Sequence, residues 1–274
     1  MKGVEGIEGV ERVDGGDGSG EGPYLVSVGQ FRPEKDHALQ LRAWAKMRAD
    51  ERDADTPSVP SDARLKIVGG CRGEADKRRL DALRATAKDL GVDDSVEFHV
   101  DVPYARLREL LGGAAAGVHT MLDEHFGICV VEYMAAGAVP IAHDSAGPAM
   151  DIVVPAVRPE ASEGDEGPPN DASGDDVRLP VGFLATTVDG YADAMWAALS
   201  MTEDERVTMA TLARARADVF SERAFNGAFI DAMAPALASL ALDRRDAILE
   251  AAGVRTRGPR GAASPAGGPR RRRG

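Results

Sequence analysis

Cysteine is nearly absent from this chain of 274 residues: Cys71 and Cys129 are the only two. Two thiols are too few for a disulfide framework, and a reducing compartment is the expectation. No uninterrupted run of about 18 apolar residues occurs, so no segment is expected to span a membrane. The start of the chain lacks a basic patch followed by an apolar core, so no secretory signal is expected there. The dinucleotide fingerprint G-x-G-x-x-G and the Walker string G-x-x-x-x-G-K-[ST] are both missing after the first β-like run. The 5 histidines show no metal-ligand spacing, so no metal site is expected. What remains is a chain 43% hydrophobic, enough to build a core in one large domain or two small ones.

The net charge of −12 is unevenly spread. Residues 1–22 hold eight glycines and six acids, and residues 158–178 hold seven acids with almost nothing apolar. From Arg255 to the end there are seven arginines and no acid. All three stretches have too little apolar surface to pack and read as disordered, the middle one as an insertion. The arginine-rich end could touch RNA or an anionic membrane. A solvated end is the preferred reading, and no nucleic-acid partner is expected.

Between about Pro23 and Leu237 short β-branched runs alternate with helical patterns. "YLVSV", "RLKIV", "SVEFHV", "AAGVHT", "AVPIAH" and "VGFLA" read as strands, with helices over 37–48, 74–90, 104–111, 188–200, 203–219 and 222–237 between or after them. This rhythm predicts right-handed βαβ units, hence one α/β domain with a doubly wound parallel sheet of about six strands. Residues 238–274 form an extension beyond it.

In such a sheet ligands bind beyond the carboxyl ends of the strands. The loops there include "VGQFRPEKDH", "VGGCRGEADKRR", "HTMLDEHFG" and "AHDSAGPAMD". Their glycines allow close backbone approach, and Arg32, Lys35 and Arg72 supply positive charge, which suits a diphosphate. "DAD" at 53–55 has the form of a metal-holding D-x-D but lies in a hydrophilic helix–strand loop, where a solvated turn is the preferred reading. His143, Asp144 and Ser145 are consecutive at a strand end. Neighbours there point apart, so a hydrolase relay is not expected.

"EHFGICVVE" places Glu124 and Glu132 eight positions apart. A helix starting near Phe126 would put Glu124 at its N-terminus and Glu132 in its second turn. The backbone N–H groups of Phe126, Gly127 and Ile128 would then be free to donate. A carboxylate can accept both hydrogens of a vicinal diol, so two of them could hold the two sugar rings of a nucleotide sugar. The alternative makes Glu124 a helix-start charge and Glu132 an exposed helix residue.

The E-x7-E string resembles the signature of retaining glycosyltransferases of the GT-B architecture, family 4. "SVGQFRPEKDH", "VEFHVDVPY", "HTMLDEHFGICVVEYMAAG" and "GPAMDIVVP" are similar to the subgroup that adds α-1,2-mannose from GDP-mannose to a dolichol-linked oligosaccharide in N-glycan assembly. The resemblance covers about residues 24–237, with 158–178 inserted. It implies the Rossmann-like C-terminal domain of a GT-B enzyme, at the cytosolic face of the endoplasmic reticulum. It also implies roles. Lys35 would neutralise the diphosphate leaving group, and Glu124 with the amides of Phe126, Gly127 and Ile128 would hold hydroxyls of the donor sugar. Glu132 would hold the ribose diol, Gly29 and Gly147 would line the donor site, and the base would lie near Val100 to Pro103. Gln30 stands where the family has an Arg, with Arg32 as the nearest substitute, and Ala146 stands for the first glycine of a pair. No metal and no other cofactor is implied. The half of a GT-B enzyme that brings the acceptor site and, in this subgroup, a membrane anchor is expected to be a separate N-terminal domain. Two main readings follow: the donor half of a mannosyltransferase, or a GDP-mannose-binding or partner-binding module without turnover. A third, a different nucleotide-sugar pathway on the same fold, is weaker, since the "FRPEKDH" string argues against it.

Overall fold

A computed structural model describes residues 22–50, 58–157 and 178–251. The expectations for residues 1–21, for Asp53 to Asp55, for 158–177 and for the arginine-rich end from 255 lie outside the described residues. The chain divides into two compact units, Met1–Ser221 and Glu222–Gly274.

The first unit carries the expected alternation. β1 (Tyr24–Val28) leads to α1 (His37–Ala49), β2 (Arg64–Gly69) to α2 (Glu74–Asp89), and β3 (Val96–Val100) to α3 (Tyr104–Gly112). β4 (Ala116–Val118), α4 (Ile128–Ala136) and β5 (Val139–His143) follow. β6 (Ala156–Val157) and β7 (Arg178–Leu179) form a short antiparallel ribbon, Ala156 opposite Leu179 and Val157 opposite Arg178. The two ends of the acidic stretch are therefore paired side by side. β8 (Phe183–Ala185), α5 (Val188–Ser200) and α6 (Glu203–Ala217) complete the unit.

Six strands pair in parallel in the order β3-β2-β1-β4-β5-β8. Both faces are covered, because side chains alternate across a strand. Leu25, Leu65 and Ile67 enter one core cluster with Trp44 and Tyr191, while Val26 and Val68 enter another with Leu110 and Tyr133. Sequential strands lie on one side of β1 and later ones on the other. The order reverses between β1 and β4, and that reversal opens a crevice at their carboxyl ends.

The second unit contains α7 (Glu222–Ala251), which carries Pro235 in its interior and runs past the boundary expected at Leu237. Phe225 and Phe229 stack 6.0 Å apart on it. Its stretch Glu222–Leu242, 21 residues with mean hydropathy 1.4, is long and apolar enough by length and composition to cross a membrane. The stretch qualifies on length and average alone, and the absence of an uninterrupted apolar run still holds. Asn226, Asp231 and Pro235 interrupt the run, yet the average stays high.

Candidate functional site

Tyr133 of α4 fixes the strand ends that frame the crevice. Its hydroxyl accepts a hydrogen bond from the Val28 N–H at 2.7 Å and donates to the Val118 carbonyl at 3.3 Å. The ring crosses β4 where Gly117 stands, and a Cβ at Gly117 would overlap it. One buried tyrosine thus holds α4 against β1 and β4 together. Burial also keeps its phenol neutral, pushing the pKa well above the ordinary value.

The loops beyond β1 and β4 are tied by buried polar groups. The Thr120 hydroxyl donates to the Lys35 carbonyl at 2.7 Å and accepts from Gln40 Nε2 at 2.8 Å. The Tyr191 hydroxyl donates to the His119 carbonyl at 2.9 Å. Asp36, in the left-handed region at φ 40°, caps α1 by accepting from the Leu39 N–H. These bonds place Lys35 and Glu124 against each other. Lys35 Nζ lies 2.8 Å from Glu124 Oε2 and 3.2 Å from Met121 Sδ. With side chains 22% and 18% exposed, this pair is screened less than a surface ion pair.

Glu124 also meets His119, whose Nε2 is 3.4 Å from Oε2, close enough for electrostatic contact but without hydrogen-bond geometry. Burial raises the Glu124 pKa. The hydrogen bond and charge of Lys35, with His119 and the Phe126 N–H, outweigh that and leave it below the ordinary value. His119 is held neutral, its pKa lowered to about 4 by burial and then by the Lys35 charge. His37, buried beside the Phe31 ring at 5.5 Å, is lowered to about 4 for the same two reasons, with Arg79 and His119 adding to it. Cys129 Sγ sits 3.5 Å from His119 Nδ1, and burial pushes this thiol up to about 11.

Glu132 lies at a different kind of position. It is exposed on α4, and no hydrogen bond or ion pair to it is found among the described residues. Desolvation by the surrounding protein raises its pKa. An unpaired carboxylate in that state is a ready acceptor for hydroxyl groups.

The helix between the two glutamates starts at Ile128, two residues later than expected, because Gly127 takes φ 92° and caps it. The Phe126 N–H, expected to be free, lies near enough to the Glu124 carboxylate to help lower its pKa. The N–H groups of Gly127 and Ile128 have no partner among the described residues. Gly147 donates its N–H to the Glu124 carbonyl at 3.0 Å, and a Cβ there would meet the carbonyl oxygens of His125 and Phe126 at 2.5 and 2.7 Å. The loop after β5 therefore sets the path of the Glu124 loop through backbone contact, with Ala146 beside it at φ 44°.

Among the other expected residues, Gly29 lies against the Lys35 stem, its Cβ position 3.4 Å from Cγ. Arg32 is exposed and makes no ion pair among the described residues. The turn from Val100 to Pro103 is joined to the loop after β2, where Asp101 accepts from the Cys71 N–H at 3.0 Å. His143 and Ser145, expected to diverge, are in contact: Nδ1 lies 2.9 Å from the hydroxyl oxygen, which also accepts from the Asp123 N–H. The one intervening residue turns the chain enough to bring them together. The Ser145 oxygen is thereby committed to the Glu124 loop. Gln40, His119, Thr120 and Tyr191 were not anticipated, although a polar pair directly after the strand "AGV" at a switch point was a usable signal. Among the described residues no group of three or more His, Cys, Asp or Glu could hold a metal ion.

Comparison with known proteins adds to this geometry. The model of the family described as Glycosyl transferases group 1 matches residues 16–163. A human protein named GDP-Man:Man(3)GlcNAc(2)-PP-Dol alpha-1,2-mannosyltransferase is 41% identical over 212 residues, covering 77% of this chain and 38% of that protein. The Dictyostelium discoideum protein of the same name is 39% identical over 211 residues, covering 77% and 37%. The chain thus spans less than two fifths of the length of these relatives. Among solved structures, Anabaena Alr3699/HepE in complex with UDP and glucose superposes with a TM-score of 0.57 at 19% identity, covering 78% of this chain and 48% of that one. The trehalose 6-phosphate synthase of Burkholderia multivorans gives 0.59 at 16% identity, covering 81% and 44%. At such identities these two structures speak to the fold alone, which is that of one half of a GT-B glycosyltransferase. With the family model matching more than half of its residues, the chain belongs to the glycosyl transferases group 1 family.

Proposed function

We propose that this chain is the donor-binding half of a retaining α-1,2-mannosyltransferase that uses GDP-mannose and extends a dolichol-linked oligosaccharide. The observation that carries the reading is the Lys35–Glu124 pair at the strand-order reversal, with the unpaired Glu132 on α4, the helix that follows the Glu124 loop. The names of the relatives supply the donor and acceptor. In this reading Lys35, with Arg32 within the same loop, neutralises the diphosphate as the bond to mannose breaks and negative charge builds on GDP. Glu124 and the free amides of Gly127 and Ile128 take hydroxyls of mannose, and Glu132 takes the ribose diol. Gly29 and Gly147 keep side chains out of the donor's path, and the Val100–Pro103 turn edges the base.

The acceptor would be brought by a separate N-terminal GT-B domain carrying a membrane anchor. Work at the cytosolic face of the endoplasmic reticulum fits a lipid-linked acceptor, and α7 offers an apolar surface compatible with it. Without the acceptor domain the chain would bind the donor and not turn it over. The phosphate ligands are side-chain cations and amides, so binding should not require a divalent ion. Calorimetry of the full chain with GDP and GDP-mannose, with and without EDTA, tests this. Binding of both ligands that survives EDTA is expected. Strict dependence on magnesium or manganese, or no binding at all, contradicts it.

A further inference from the structure

Glu124 has two side-chain neighbours of opposite mobility. Lys35 reaches it on a long flexible stem and also touches Met121. In the proposed function the same ammonium must serve a diphosphate, which carries more charge than a carboxylate and competes for it. Once Lys35 turns to the phosphates, Glu124 loses its shortest contact at the moment its orientation matters most.

His119 cannot follow. It is 3% exposed, its N–H donates to the Ile141 carbonyl at 2.8 Å, and its own carbonyl receives the Tyr191 hydroxyl at 2.9 Å. On the ring, Nδ1 faces the Cys129 sulfur at 3.5 Å. Nε2 is buried, has no full hydrogen bond and faces Glu124 Oε2 at 3.4 Å. Buried polar atoms without a partner are rare, and one next to a ligand-seeking carboxylate has a use. Because Cys129 keeps its proton, the tautomer that satisfies both sides has Nδ1 accepting from the thiol and Nε2–H donating toward Glu124.

Resting on the proposed function, we infer that His119 is a positioning residue: its fixed Nε2–H keeps the Glu124 carboxylate turned toward the donor sugar after the diphosphate has drawn Lys35 away. A neutral donor suits this task. It orients the carboxylate without adding a second cation that would compete with Lys35 for phosphate.

The test uses the full 274-residue chain and titrates GDP and GDP-mannose separately. His119→Leu should weaken GDP-mannose about 3- to 10-fold, the worth of one hydrogen bond, and leave GDP within twofold. His119→Gln, whose amide nitrogen reaches the Nε2 position, should restore the wild-type ratio of the two affinities. His119→Asn, which reaches only the Nδ1 position, should behave like Leu and stands in for it if Leu does not fold. In a Glu124→Gln background, His119→Leu should add no further loss. An unchanged ratio in Leu and Asn, equal losses for both ligands, or no rescue by Gln overturns the inference while the functional reading stands. If the wild type binds neither nucleotide, that reading falls and the inference with it.

Discussion

Glu124, in the loop before α4, and Glu132, in the middle of that helix, are in opposite states. Glu124 is paired with Lys35 and lowered in pKa. Glu132 is unpaired and raised in pKa by desolvation. Nearness to a helix N-terminus alone does not explain this, since the loops that carry Lys35 and Glu124 are held by long-range bonds through Tyr133, Thr120, Gln40 and Tyr191. The difference teaches that one carboxylate is held in place before any ligand arrives, whereas the other waits for its partner. The proposed roles ask for that division: a fixed contact to the reacting sugar and an adaptable contact to the ribose.

Acid should break this comparison first at the Glu124 end, and by the largest margin. His37 and His119 are neutral in the fold with pKa about 4, against 6.5 when unfolded. Their folded values are depressed, so the unfolded chain binds more protons between these limits and stability falls as pH drops from 6.5 to 4. Each histidine should remove on the order of 3 kcal/mol by pH 4. Glu124, also depressed, loses stability in the same direction, while Glu132, raised, gains as it protonates. Urea unfolding followed by fluorescence of the buried Trp44 should show this slope. His37→Gln with His119→Gln should flatten it, and a slope unchanged in the double variant would assign the acid loss elsewhere.

Much of this was legible in the sequence. The strands were legible as short apolar β-branched runs between helical patterns, and the spacing of Glu124 and Glu132 marked them as a pair. The ribbon of β6 and β7 was not legible, since two-residue strands carry no period. Neither was the length of α7, because its apolar and charged residues fall in blocks and give no 3.6-residue signal to follow past Leu237. The tethers around the site were hidden for another reason. Gln40 and Thr120 are 80 positions apart, and only the fold makes them neighbours.

A smaller effect sharpens the comparison from the backbone side. Ala146 sits at φ 44°, a region costly for any residue with a Cβ, beside the Gly147 N–H that holds the Glu124 carbonyl. Ala146→Gly should raise stability by about 1 kcal/mol in thermal unfolding, because glycine carries no Cβ penalty at this φ. Destabilisation would mean that the Ala146 methyl makes a contact worth more than the strain.

The central claim, one carboxylate for each sugar ring, is met most directly by titrating GDP and GDP-mannose against Glu124→Gln and Glu132→Gln, each checked for folding by circular dichroism. Glu132→Gln should weaken both ligands alike, by on the order of 1.5–3 kcal/mol for one charge-assisted bond. Glu124→Gln should weaken GDP-mannose and leave GDP unchanged or tighter, since Lys35 loses a competing carboxylate. Equal losses for the two ligands in Glu124→Gln, or no loss in either variant, would contradict the account.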